Sequence, residues 1–145
     1  MSAPAAHPLF AFVRRFSRMP ITGEDAVAEN GRLVLVAEAV DALARQDIEP
    51  TVNAVAAEIG IDQSGASRLI TAAADAGLVA TAASAHDARR RTVHLTPTGQ
   101  RLLVDARQWQ GEVADRLTAG WSRKRREEFF AALSEVVATA DALDL

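Results

Sequence analysis

Only Ile61 separates Gly60 from Asp62. Gly60 closes a run in which Val52, Val55, Ala56 and Ile59 recur at helical spacing, and Asp62 opens another in which Ala66, Leu69, Ile70 and Ala73 do the same. A glycine stops a helix by adopting the left-handed conformation, and an aspartate starts one by accepting from the free N–H groups of the first turn. With one residue between stop and start, the two helices must leave the turn at a steep angle to each other. Small Ala56 suits the crossing, and Ala66 and Leu69 face back toward it.

The remaining elements fall into place around this pair. Residues 5–18 read as a short helix with Leu9, Phe12, Val13 and Phe16 on one side, ended by Met19-Pro20. Residues 21–31 read as a loop or a helical turn opened by Thr22. Residues 32–46 form a helix with Leu33, Val36, Ala39, Val40 and Leu43 as its stripe. Pro50 breaks it, Thr51 caps the first helix of the pair, and Gly77 ends the second. Two strands follow, at 78–82 and 91–95, joined by a small, polar hairpin loop. Thr96 caps a long helix from Pro97 to Leu117, striped by Leu102, Ala106, Trp109, Val113 and Leu117. After Gly120, Ser122 caps a last helix carrying Phe129, Leu133, Val136, Val137 and Ala140. Alanine supplies much of the 49% apolar fraction while aromatics make up 5%, so the fold class expected is mainly α, with closely approaching helices.

Several functions are disfavoured by what is missing. At 145 residues and 15.4 kDa the chain is expected to form a single domain over 1–145. It has no cysteine, which removes disulfides, thiolate metal sites and thiol redox sensing. His7, His86 and His94 show no paired ligand spacing, so no metal and no cofactor is expected. No glycine-rich phosphate loop, nucleophile elbow or Ser/His/acid set is recognisable, so the chain is not expected to be an enzyme. The N-terminus lacks the pattern of a secretory signal, and apolar runs such as 33–37 are too short to span a bilayer. A soluble, cytoplasmic protein with no membrane partner is the expectation.

The net charge is −3, so any contact with nucleic acid must rest on local positive clusters. One is Arg89, Arg90 and Arg91 at the hairpin. Another is Arg123, Lys124, Arg125 and Arg126 at the start of the last helix, which reads as a solvated face, with a role in a dimer or near DNA as the alternative. Trp109 and Trp121 read as core or interface residues. A steep helix pair reads as a DNA reader or as an ordinary helical hairpin. The basic hairpin that follows favours the first reading, because arginine on a thin loop can enter a narrow minor groove. Asp87, two residues before Arg89, can pair with it and fix the loop.

The segment from Ile59 to Gly99 resembles the MarR family of winged-helix regulators. The resemblance rests on Ala56-Ala57-Glu58-Ile59-Gly60-Ile61-Asp62, on Ser67-Arg68-Leu69-Ile70, and on Ala76-Gly77-Leu78-Val79. Its most specific part is Asp87-Ala88-Arg89-Arg90, an alternating strand, then Leu95-Thr96-Pro97-Thr98-Gly99. The implied architecture is a winged helix-turn-helix lobe at 51–96 with a two-stranded wing, flanked by dimerisation helices at 5–46 and 97–145. The implied function is that of a sequence-specific transcription regulator, a ligand-responsive repressor that binds double-stranded DNA as a homodimer on a pseudo-palindromic site.

Residue roles follow from the same resemblance. Gln63, Ser64, Ser67, Arg68 and Thr71 would face the major groove, where Gln can pair with adenine and Arg with guanine. Arg89 would be the wing-tip arginine, with Arg90 and Arg91 beside it and Asp87 as the brace. Thr51 and Asn53 would touch phosphates. Leu9, Phe12 and Phe16, with Phe129, Leu133, Val136 and Val137, would form the dimer interface. A small-molecule effector, its identity open, would act between that interface and the DNA-binding lobe. The lobe departs from the family in charge: its four acids, Glu58, Asp62, Asp75 and Asp87, match its four arginines. That balance predicts modest, salt-sensitive affinity. It also keeps open an alternative, a winged helix that binds protein and not DNA.

Overall fold

The computed structural model describes residues 7–16 and 31–143. In chain order these form α1 (His7–Phe16), α2 (Val34–Arg45), α3 (Val52–Ile59), α4 (Gln63–Asp75), β1 (Val79–Ala83), β2 (Arg91–Leu95), α5 (Pro97–Leu117) and α6 (Arg123–Ala142). The fold is mainly α with one antiparallel hairpin, as the sequence predicts. The expected break at Met19-Pro20, the turn at Thr22 and the ends of the first helix beyond 7 and 16 lie outside the described residues.

The chain divides into two compact units, Met1–Ala106 and Arg107–Leu145. The core of the first is built by α2, α3, α4, the hairpin and the start of α5. Val36, Val55 and Val93, from three different elements, are its largest fully buried side chains. Ile70 and Ala73 of α4, Leu78 and Val79 at the start of the hairpin, and Leu102 and Ala106 of α5 complete it. The stripes read from the sequence at 33, 36, 39, 40 and 43, and at 66, 69, 70 and 73, are the faces turned to the core, with Leu33 and Leu69 only partly buried.

Local chemistry fixes the helix ends. The Thr51 hydroxyl accepts from Ala54 N at 3.2 Å, and the Asp62 carboxylate accepts from Gly65 N at 2.8 Å. Gly60 closes α3 at φ 77°, where a side chain would be strained, and its N–H returns to Ala56 O. At the end of α4, Gly77 N donates to Ala74 O and Leu78 N to Ala73 O, each at 2.9 Å. This double closure consumes Leu78, so β1 begins at Val79, one residue later than the alternation suggests. The hairpin pairs Val79 with Leu95, Thr81 with Val93 and Ala83 with Arg91.

One element escapes the sequence reading. Pro50-Thr51 reads only as a break and a cap, yet it also acts as a third, very short strand. Val93 N donates to Pro50 O at 2.8 Å, and Thr51 bridges Thr92. Proline can serve there because it supplies only its carbonyl. The start of α3 is thereby tied to the hairpin.

In the second unit, the Ser122 hydroxyl caps α6 by accepting from Arg125 N at 3.2 Å. The basic run behind it is accounted for residue by residue. Arg123 pairs with Glu127, Lys124 with Glu128 and Arg126 with Asp115, while Arg125 lies 4.2 Å over the Trp121 ring. Trp121 in turn meets Phe129 edge-on at 5.4 Å. No residue of α6 is buried, and Phe129, Leu133, Val136 and Val137 are all exposed. In α1, Leu9, Phe12, Val13 and Phe16 are exposed as well.

Candidate nucleic-acid interface

The tight turn at Gly60-Ile61-Asp62 sends α4 away from α3 with its buried edge, Ala66, Ile70 and Ala73, against the core. The opposite edge carries Gln63, Ser64, Ser67, Arg68 and Thr71, all exposed. These five were the residues expected to face DNA. The Thr71 hydroxyl is occupied within the helix, donating to Ser67 O at 2.9 Å.

The hairpin loop is held by a compact set of bonds. Ser84 N donates to Arg90 O at 2.9 Å, closing the loop. Asp87 O accepts from Arg90 N at 2.9 Å, and one Asp87 carboxylate oxygen accepts from Arg89 N at 3.0 Å. This is an Asx turn on a β-turn, a use of aspartate that needs no particular partner side chain. The other carboxylate oxygen lies 3.7 Å from Arg90 Nε. Asp87 therefore grips Arg89 by its backbone and pairs with the guanidinium of Arg90. A side-chain pair with Arg89 was expected. The turn explains the difference, since it brings residue i+3, not i+2, round beside the first residue's carboxylate.

The three arginines are thus in different states. Arg90 faces Asp87, and Arg91 donates to Thr81 Oγ1 across the hairpin at 2.6 Å. Among the described residues the Arg89 guanidinium makes no ion pair or hydrogen bond.

An open groove of about 330 Å³ unites the two halves of the site. Its walls are Thr51, Val52 and Asn53 at the start of α3, Gln63 and Ser67 on α4, and Arg89, Arg90 and Arg91 on the hairpin. Seven of the residues picked out from the sequence therefore border one cleft. Ser64, Arg68 and Thr71 share the exposed edge of α4 but do not line the groove. Val52 was missed as a wall residue, since its periodicity marks it only as core. Also missed was a contact at the base of the hairpin loop, where buried Ser84 donates to Glu49 Oε1 at 2.5 Å. No local pattern links two positions 35 residues apart.

Among the described residues, no cluster of three or more His, Asp or Glu could hold a metal ion. No described helix is long and apolar enough to cross a membrane.

Comparison with known proteins agrees with this geometry. Residues 31–90 match the model of the MarR family. No curated protein matches the chain. Among solved structures, the chain is similar to a MarR transcriptional regulator from Methanosarcina mazei Go1, with a TM-score of 0.71 at 17% identity, covering 94% of this chain and 96% of that one. It is similar to MepR of S. aureus, solved as a DNA complex, with a TM-score of 0.63 at 16% identity, covering 94% and 99%. It is also similar to BpsR of Bordetella bronchiseptica, whose DNA binding is regulated by 6-hydroxynicotinic acid, with a TM-score of 0.62 at 20% identity, covering 91% and 97%. Residues 31–90, from α2 to the hairpin tip, thus match the MarR family, and the chain has the winged-helix fold of solved MarR regulators over nearly its whole length.

Proposed function

We propose that the chain is a sequence-specific DNA-binding transcription regulator that acts as a homodimeric repressor on a pseudo-palindromic site. The observation that carries this reading is the groove in which Gln63 and Ser67 of α4 face Arg89 of the hairpin. Such a pairing of a polar helix edge with a basic loop suits a duplex, the helix in the major groove and the loop in the adjacent minor groove. Gln63 and Arg68 are the side chains able to read base edges, and Ser64, Ser67, Thr51 and Asn53 suit phosphates. Two copies would set their α4 helices about 34 Å apart, one turn of DNA.

The exposed apolar faces of α1 and of α6 each offer a surface for self-association. A small-molecule effector fits the same reading, since BpsR, of the same fold, has its DNA binding regulated by an aromatic acid. An effector that releases the protein from DNA should raise the melting temperature of the free protein and weaken the DNA complex together.

Selection of duplexes from a random pool, followed by gel shifts over a salt series, tests the proposal. The expected outcome is an enriched inverted repeat whose affinity falls steeply with salt. No enrichment, and no retardation at low salt, would favour the protein-binding module instead.

A further inference from the structure

Ser84 is the one buried residue in a loop whose other members, 85–90, are all exposed. Its hydroxyl donates to Glu49 Oε1 at 2.5 Å and accepts from His86 N at 3.1 Å and Asp87 N at 3.4 Å. One donor and two acceptor sites are all that a serine hydroxyl has, so its capacity is fully used. The bond to Glu49 is charge-assisted, the stronger kind. Asp87, held through its N–H by Ser84, in turn holds Arg89 N and the Arg90 guanidinium. A continuous chain of bonds therefore runs from Glu49, in the short link between α2 and α3, to the backbone of the arginine at the loop tip.

The placement of Glu49 gives this chain its meaning. Glu49 O accepts from Thr51 N at 2.8 Å, next to the Pro50 carbonyl that takes Val93 N. Thr51 caps α3 and lines the groove. The segment that anchors the loop is thus the segment that starts the helix pair. We infer that Glu49 and Ser84 are positioning residues for DNA binding: they set where the wing-tip Arg89 lies relative to α4, and hence its register in the minor groove. The inference rests on the DNA-binding reading above.

Charge makes it testable, because Glu49 is acidic near a site for a polyanion. By simple electrostatics, removing the carboxylate tightens binding. By positioning, removing the acceptor weakens it. Glu49→Gln loses the charge but keeps an oxygen for Ser84, whereas Glu49→Ala loses both. Affinities are measured for the duplex enriched by the wild-type chain, with each change made alone and together with Arg89→Ala. Glu49→Ala and Ser84→Ala should each weaken binding by roughly five- to twentyfold, and Glu49→Gln should bind as well as wild type or better. In the Arg89→Ala background the losses should shrink to less than about twofold, since the positioned group is gone.

Hydrogen exchange at the amides of His86, Asp87 and Arg89 should quicken in Ser84→Ala and Glu49→Ala but not in Glu49→Gln. Equal losses with and without Arg89, or tighter binding by Glu49→Ala, would overturn the inference while leaving the DNA-binding reading intact. If Ser84→Ala fails to fold, the Glu49 pair decides alone. If wild type enriches no duplex, the DNA-binding reading falls and takes this inference with it.

Discussion

A methyl group placed on Gly99 would lie 2.0 Å from the carbonyl oxygen of Leu78. That oxygen is not free to retreat, because it accepts from Thr96 N at 3.1 Å. Thr96 fastens the same junction by donating to Gly77 O at 2.6 Å and accepting from Gly99 N at 3.1 Å. The first turn of α5 thus sits backbone to backbone on the end of α4. The glycine of the Leu-Thr-x-x-Gly pattern has a steric cause here.

Gly99→Ala should therefore destabilise the protein although alanine favours helix. The propensity gain is about 1 kcal/mol. Displacing a hydrogen-bonded backbone segment costs about 3 kcal/mol or more. Urea unfolding should show a net loss of at least 2 kcal/mol, on the order of the difference between these terms. An unchanged midpoint would mean that the α4–α5 junction is looser than these distances imply.

Gly65 is a milder case, in which gain and loss nearly cancel. A Cβ there would meet Asp62 Oδ1 at 2.6 Å, and that atom caps α4 through Gly65 N. The carboxylate is exposed and can swing aside, so what is lost is the cap, worth about 1 kcal/mol. Helix propensity returns about the same. Gly65→Ala should leave stability within about 0.5 kcal/mol of wild type. In an Asp62→Ala background, with no cap left to lose, it should stabilise by about 1 kcal/mol. Additive effects in thermal melts of the four proteins would refute the clash.

The hairpin arginines should differ in cost when removed. Arg91 already donates to Thr81, and Arg90 faces Asp87, whereas Arg89 has no such engagement among the described residues. Arg89→Ala should weaken specific DNA binding by about 1–3 kcal/mol with the fold intact, more than either neighbour. Asp87→Ala should also weaken binding although it removes a negative charge, because it releases Arg89 N and Arg90 together. Fluorescence anisotropy on the enriched duplex ranks the four variants. A tighter Asp87→Ala complex would mean that bulk charge outweighs the ordering of the loop.

The parts of this fold that were legible in the sequence are those set by local chemistry. Thr51, Asp62 and Ser122 are caps and Gly60 is a stop, and each reads as such because its effect reaches no further than one helical turn. Buried stripes such as 36, 39, 40 and 43 are legible because helical period alone places them. What was not legible depends on residues that meet only after folding. Pro50 accepts from Val93 across the lobe, and Ser84 finds Glu49, neither with any local signature. The pairing of Asp87 with Arg90 was missed for a subtler reason. Sequence proximity favours Arg89, but the turn rotates residue 89 outward and brings 90 back.

The last expectation concerns the exposed apolar faces. On α6, Leu133 and Val137 are 37% and 54% exposed, one turn apart, and on α1 Phe12 stacks on Phe16 at 5.5 Å with both rings still open to water. Fully burying a side chain of this size gains about 1.5–3 kcal/mol and these are already half covered, so the exposed positions of both copies together are needed to offset the cost of association. Sedimentation should give twice 15.4 kDa. Val137→Lys should shift the protein toward monomer without harming its fold, since the position is exposed and lysine is a better helix former than valine. The same variant should lose affinity for an inverted repeat yet bind a single half-site as wild type does, because α4 and the hairpin are untouched. A wild-type chain that sediments as a clean monomer at micromolar concentration would remove the basis for a two-fold DNA site.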